Sequence, residues 1–351
     1  MAYMCSALRS FIVIIALGFS LSVSGQQFPV RHLVFEGAGI RGIAYCGVVK
    51  AIEQYGLSDS LQSVAGTSAG AMTALMLSLG YTSDEMEKVI SSTAFERFND
   101  GSMGLGGGIA RLTRRFGWYH SDRLDQFIAS IITKKHADRD INFRQLHERG
   151  CADLYVTATS INNQKLIVFS RYTYPDMKIR DAVRISMSIP LYFEATMIDE
   201  KGNVYENIQD SLVTDIVVDG GILANFPVYI FDEAKLDSNG NKYRIPDYSV
   251  LGVRIDSDEQ IELDRTGGGL APVDVKNFPD FMEAFYLLIL EQLNREILMH
   301  YDWDRTVSIS SAGIGPKIRN MSPSERKLLI DSGYAYTAVR LAELGYSRGK
   351  N

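Results

Sequence analysis

Ser68 lies between two glycines in Gly66-Thr67-Ser68-Ala69-Gly70, where an apolar run from Leu61 to Ala65 gives way to helical spacing from Ala71 to Leu79. A serine at a strand-to-helix corner can be held in a strained backbone that pushes its hydroxyl into a cleft, and flanking glycines let neighbouring chain come close. The following helix aims its positive end at the same place, which favours the negative charge that builds up in acyl transfer. Alone, the pentapeptide fits a plain helix-capping turn equally well. A second stretch, Gly37-Ala38-Gly39-Ile40-Arg41-Gly42, also joins a strand, His32 to Phe35, to a helix. Its G-x-G-x-x-G spacing is that of a dinucleotide loop, but such a site wants an acid at the end of the next strand, ~20 residues on. Here that strand ends Ser63-Val64-Ala65-Gly66, and the nearest acid, Asp59, precedes it. The loop's consecutive backbone N–H groups suit an oxyanion hole better. The third stretch is Asp219, which closes the apolar strand Ile216-Val217-Val218 with Gly220 and Gly221 behind it. An aspartate at its ordinary pKa of ~3.9 is a poor base for a hydroxyl, so catalytic use of this one requires burial or a hydrogen bond to the serine.

The elements that must position these groups follow from periodicity. Strand, glycine turn and helix occur twice in succession, at His32–Tyr55 and Leu61–Leu79, which predicts an α/β sheet with helices on its faces. Thr82 with Glu85 reads as a capping box opening a helix to about Thr93. From Asn99 to Trp118 periodicity is lost. Five glycines between Gly101 and Gly108 precede Arg111, Arg114, Arg115, Phe116 and Trp118, which predicts a mobile segment able to gate a site or touch a lipid surface. A helix is expected over Ser121–Ile132, paired strands over Asp153–Ser160 and Lys165–Ser170, and a helix from Arg180 to Ser186. A hairpin turns at Lys201-Gly202-Asn203, a strand covers Ser249–Ile255, a long amphipathic helix runs Asp280–His300, and Ser322-Pro323-Ser324-Glu325 caps a final helix. The acidic run Asp256–Asp264 is no calcium loop, because Ile261 and Gly267 stand where the glycine and glutamate are needed. No linker or repeat divides the chain, so a single domain is expected over 28–346, with its motifs in 33–228.

The chain has 351 residues, 46% hydrophobic and 22% charged, ample for a large core and unlike any disordered or collagenous composition. Residues 1–25 carry one charge, Arg9, then an apolar run from Phe11 to Phe19 and small residues at Val23-Ser24-Gly25. This is the pattern of a secretory signal peptide, cleaved before Gln26, which sends the chain to the periplasm or outside the cell; retained, it would serve as a membrane anchor. Its loss takes the net charge from −6 to −7. Nothing in that balance favours nucleic acid, and contact with a membrane must rest on apolar insertion or a local basic patch. Cys46, in an apolar helical pattern, suits a buried free thiol rather than a bridge to Cys151.

Together, the glycine loop with Arg41, the Gly-Thr-Ser-Ala-Gly corner, and Asp-Gly-Gly followed by Asn225 and Pro227 resemble the patatin-like phospholipases in order and interval. The likeness extends to Ser186-Met187-Ser188-Ile189-Pro190 and to the closing helix. One departure is Ala38, where the family commonly has the middle of three glycines. The resemblance implies a three-layer α/β/α sandwich with a mostly parallel central sheet. It also implies a lipid acyl hydrolase working at a membrane or micelle surface with no metal or organic cofactor. Ser68 would be the nucleophile and Asp219 its base, with Gly37 to Gly42 as the oxyanion loop, chiefly the N–H groups of Gly39 and Ile40. Gly66 and Gly70 would frame the serine corner, and Gly220 and Gly221 the aspartate turn. Arg41 would steady the loop or meet a lipid phosphate. Two other readings stay open: an α/β-hydrolase triad of Ser68, Asp219 and His300, and a lipid-binding protein without turnover.

Overall fold

A computed structural model describes residues 29–101, 104–205, 210–317 and 319–349. The expected signal peptide lies outside the described residues. At the centre stand five parallel strands in the order β13 (Thr306–Ser310), β12 (Val250–Asp256), β1 (His32–Phe35), β2 (Ser63–Gly66) and β4 (Asp153–Ser160). Beyond them the sheet turns antiparallel. β5 (Lys165–Phe169) and β9 (Asp215–Asp219) pair with β4, β7 (Thr196–Ile198) with β9, and β8 (Val204–Tyr205) with β7 in the expected hairpin. Two small ribbons stand apart: β3 (Gly117–Tyr119) with β6 (Leu191–Phe193), and β10 (Glu233–Leu236) with β11 (Lys242–Ile245).

Alternation along the strands makes the layers. Leu33, Phe35, Val64, Leu251 and Val253 point into one core, whereas Val34, Ala65 and Val250 point into another with Phe226 and Val228. Strands buried on both faces need cover on both, which is why they read as unbroken apolar runs. The larger core is closed by α1 (Tyr45–Gln54), α2 (Ala69–Ser78), α3 (Ser83–Ser91), α5 (Asp122–Lys135) and α7 (Ile179–Ser186). The final helix, α12 (Pro323–Glu343), lies across α1 and β13. Between these come α4 (Gly104–Arg115), α6 (Phe143–Glu148), α8 (Gly221–Ala224), α9 (Asp258–Thr266), α10 (Phe278–Arg295) and α11 (His300–Trp303). The result is the three-layer α/β/α sandwich.

Two local expectations change, and one run given no element in the sequence reading gains one. Asn99–Trp118 is not a structureless segment: α4 forms despite its glycines, because Gly108 packs against the Trp118 ring, where a Cβ would collide, and Arg111 Nε donates to the Trp118 carbonyl at 2.8 Å. Tertiary contact here outweighs the poor helix propensity of glycine. The long helix stops at Arg295 rather than His300, and a new turn starts when Asp302 accepts the Met299 N–H at 2.9 Å. Asp258–Thr266, inside the acidic run, is helix α9, capped by Ser257. Cys46 and Cys151 are both free thiols, and burial pushes Cys46 up to about 12.

Candidate active site

Strand register, more than sequence spacing, brings the site together. On one edge of β4, Val156 pairs with Gly66 of β2. Ala158, two residues on, pairs with Asp219 of β9. The opposite edge of both is taken by β5, so β2 and β9 share one edge and meet end to end. Two residues of strand span ~7 Å. The serine corner that leaves β2 therefore opens against the aspartate that ends β9.

Ser68 has φ 53° and ψ −119° at the head of α2, the strained corner that the sequence predicts. Gly66 and Gly70 approach so closely that a Cβ on Gly66 would strike the Gly70 backbone, and one on Gly70 the Phe35 carbonyl. The Ser68 N–H donates to Ser186 Oγ at 2.9 Å. Two residues further on, the Ser188 carbonyl accepts the Asp219 N–H at 2.9 Å, so the segment before the aspartate strand holds both residues. That role of the segment was not readable from its residue types; only its place as the Ser-Met-Ser-Ile-Pro stretch pointed to it.

Asp219 is buried, and its Oδ1 accepts the Gly221 N–H at 2.7 Å. Burial raises its pKa to about 7, while the Gly221 N–H and the Ser68 hydroxyl, which bond to the charged form, pull the other way. Behind it Gly220 lies against Thr157, whose hydroxyl is 2.5 Å from that of Thr67; Thr67 in turn donates to the Ala224 carbonyl at 2.7 Å. The two loops are thus tied together from beneath.

In the glycine loop, Gly39 takes φ +55° and faces the Pro316 carbonyl, while Ala38 sits at φ −132°. A negative φ suits any side chain, so the alanine is accommodated without strain. Arg41 folds back on its own loop, its backbone N–H and Nε both donating to the Ala38 carbonyl, at 3.2 and 3.3 Å. That geometry steadies the loop. Gly42 packs on Ala69, and the Gly37 N–H donates to the Asn225 carbonyl at 3.0 Å. One expected donor is already engaged: the Ile40 N–H donates to the Pro316 carbonyl at 3.1 Å. The N–H groups of Ala38 and Gly39 make no hydrogen bond within the described residues, so of the expected donors Gly39 stays available and Ile40 does not.

Asn225 is the hinge pin of the region. Its Nδ2 donates to the Gly37 carbonyl at 3.1 Å and to Glu36 at 3.4 Å, and its N–H bonds to Asn294 of α10. Asn294 Nδ2 also donates to the Gly221 carbonyl at 3.0 Å. Below, burial pushes Glu36 up to about 8, against the pull of Arg254. Burial works against the Arg254 charge, yet Asp256 at 2.6 Å, with Glu36, Glu291 and Asp264 around it, keeps its pKa above the ordinary value.

From Ser68 an apolar slot of about 80 Å³ runs along α2 between Met72, Met76, Phe98, Leu124 and Phe127. It can take hydrocarbon and offers almost nothing polar beyond the serine corner. The histidines are occupied elsewhere: His32 stacks on Phe231, His120 bonds to Glu194 and His147 to Asp153, both at 2.9 Å or less, and His136 contacts Arg149. His300 is exposed at the start of α11. Among the described residues no histidine bonds to Ser68 or Asp219.

The arrangement is thus a three-layer sandwich with a strained serine at the head of a helix, a buried aspartate beside it and a glycine loop against the serine. The profile of the patatin-like phospholipases matches residues 33–232, and the chain belongs to that family. Among curated proteins it is 31% identical over 212 residues to the uncharacterized protein YqhO of Bacillus subtilis, covering 58% of this chain and 67% of that one. It is 28% identical over 209 residues to the uncharacterized protein R571 of Acanthamoeba polyphaga mimivirus, covering 59% and 63%. A probable lipid hydrolase, 463L of Invertebrate iridescent virus 6, is 26% identical over 213 residues, covering 60% and 66%. The matches thus span roughly two thirds of these relatives' lengths. Among solved structures, VipD from Legionella pneumophila shares the fold with a TM-score of 0.57 at 17% identity, over 90% of this chain and 67% of that one.

Proposed function

We propose that the chain hydrolyses carboxylic esters of lipids through an acyl-enzyme, with Ser68 as nucleophile and Asp219 as the single general base. The observation that carries this is a buried aspartate with a pKa near 7 against a strained serine hydroxyl at the head of an apolar slot. A carboxylate of that basicity is matched to proton transfer near neutral pH, which an exposed aspartate is not. The acyl chain lies in the slot and its ester carbonyl meets Ser68. Asp219 takes the hydroxyl proton as the serine oxygen bonds to the carbonyl carbon. The N–H groups of Ala38 and Gly39 and the N-terminus of α2 receive the oxyanion. Collapse of the intermediate expels the alcohol, which leaves with the proton from Asp219. Water then repeats the sequence on the acyl-enzyme, giving the free acid and restoring Ser68. No step calls for a metal ion or an organic cofactor.

The reading includes export through residues 1–25 to a compartment outside the cytoplasm, where lipid is met as a membrane or micelle. The test is lipid-product analysis across phospholipid, lysophospholipid, galactolipid and acylglycerol substrates, with Ser68→Ala and Asp219→Asn as controls and a fluorophosphonate probe reporting on Ser68. Labelling of Ser68 with release of fatty acid supports the reading. Well-folded protein that neither labels nor releases acid would make it a lipid-binding protein instead.

A further inference from the structure

Helix α10 leaves its most apolar face uncovered. Phe278, Phe281, Met282, Phe285, Leu288, Ile289 and Leu293 are all exposed, Phe278 at 73% and the Phe281 and Phe285 rings at over half, with those two rings stacked 6.4 Å apart. At ~100° per residue these positions fall within an arc of roughly 140°. Between Phe278 and Arg295 that arc carries no charged residue. The opposite face is fixed to the candidate active site: Asn294 holds the Gly221 carbonyl and the Asn225 N–H, Glu291 meets Arg254 directly, and Arg295 joins the same cluster through Asp264. The helix is therefore not a loose arm. It is rigidly joined to the loop that carries Asp219.

A monomer rarely bares a contiguous apolar stripe of this kind without a use for it. The stripe is ~23 Å long, and its Asn294 end sits against the loop that carries Asp219, so whatever covers it is met beside the candidate active site, where lipid is needed and a second copy is not. An anionic surface is also disfavoured, because the chain is acidic overall, at −6, and the arc offers no cation. No helix among the described residues is long and apolar enough to cross a membrane. What fits a straight, uncharged, aromatic-rich stripe with its polar back held by the protein is insertion parallel to the surface of a bilayer.

The geometry points to α10 as the element that seats the protein on a zwitterionic lipid surface, its exposed phenylalanines entering the acyl-chain boundary and its Asn294 end keeping the Asp219 loop beside that surface. This rests on the proposed lipid hydrolysis and adds where the lipid phase is met. It moves that role from residues 101–118 to 278–293.

The experiment is co-sedimentation of the purified chain with phosphatidylcholine vesicles, with light scattering for the oligomeric state. The variants are Phe281→Gln with Phe285→Gln, Leu288→Gln alone, and Ser68→Ala. All the α10 substitutions are on exposed side chains, and unchanged thermal unfolding confirms the fold; the single Leu288 change serves if the double one unfolds. Expected is a loss of vesicle partitioning of at least about tenfold in the double variant, with little change between about 0.15 M and about 0.5 M salt. Vesicle-lipid hydrolysis should fall in step while turnover of a short-chain monomeric ester is kept. Ser68→Ala should bind vesicles normally and hydrolyse neither substrate, so loss of docking and loss of chemistry are read separately. Equal partitioning of wild type and double variant overturns the inference. So does binding that needs anionic lipid and collapses in salt, or a wild-type dimer that the double variant dissociates.

Discussion

Replacing Asp219 by asparagine should make the protein more stable while removing its activity, and the size of the gain should depend on pH. Burial holds the folded-state pKa at about 7, against 3.8 for an unperturbed aspartate. Below the lower value both folded and unfolded chains carry the proton. Between the two, the unfolded chain releases it and the folded one does not, so the unfolded state binds fewer protons and wild-type stability falls as pH rises. Above pH ~7 the full penalty is in place: about three pKa units, or about 4 kcal/mol at ~1.36 kcal/mol per unit. Asparagine keeps the shape and can still accept the Gly221 N–H, but it does not titrate. Its effects on packing are the same at every pH, so only the missing ionisation gives the difference a slope. Denaturant unfolding of both proteins from about pH 4 to about pH 8 should show the variant's advantage growing by about 4 kcal/mol. A flat difference over that range would mean that the carboxyl is not held protonated by burial, and the case for it as a base poised near neutrality would go with it.

Three further outcomes are expected. Gly39→Ala places a Cβ at φ +55° against the Pro316 carbonyl, so stability should drop by ~1–2 kcal/mol and ester hydrolysis should fall; wild-type stability and turnover would show that the loop relaxes freely. Ser186→Ala removes the acceptor of the Ser68 N–H and should cost ~1 kcal/mol in unfolding experiments, with kcat reduced about tenfold and KM little changed, since the strained corner loses its tether. Substituting His32, His120, His136, His147 and His300 singly by glutamine should leave ester hydrolysis within about threefold of wild type. A loss with His300→Gln as deep as that of Ser68→Ala would instead mean a triad.

Features governed by near neighbours in the chain could be read directly. The capping boxes Thr82–Glu85 and Ser322–Glu325 form as their spacing requires, and the two strand-turn-helix units around Gly37–Gly42 and Gly66–Gly70 stand where apolar periodicity puts them. The strain at Ser68 was legible because few contexts other than a sharp corner place a serine between two glycines after a buried strand. Contacts between distant segments were not. Nothing in Ile216–Asp219 says that it will run antiparallel along the edge that β2 has vacated, and nothing near Pro316 says that its carbonyl will take the Ile40 N–H. The α4 segment misleads for a related reason: its glycines lower helix propensity, but the surface that makes Gly108 useful is Trp118, ten residues later. The uncovered face of α10 reads in the sequence as an ordinary amphipathic helix, because periodicity reveals that a face is apolar and not whether anything lies upon it.

The family match ends at residue 232, but β1 does not end its partnerships there: its far edge is zipped to β12, and Glu36 at its tip reaches Arg254 and the Ile255 N–H. A fragment trimmed to the matched length would bare a row of unsatisfied amides and carbonyls along the strand beneath the glycine loop, and strip the countercharge from an acid sunk in the interior. Such a raw seam invites other chains to add themselves to it. The last third of the polypeptide is thus part of the sheet beneath the candidate site, and shortened versions should precipitate rather than work slowly.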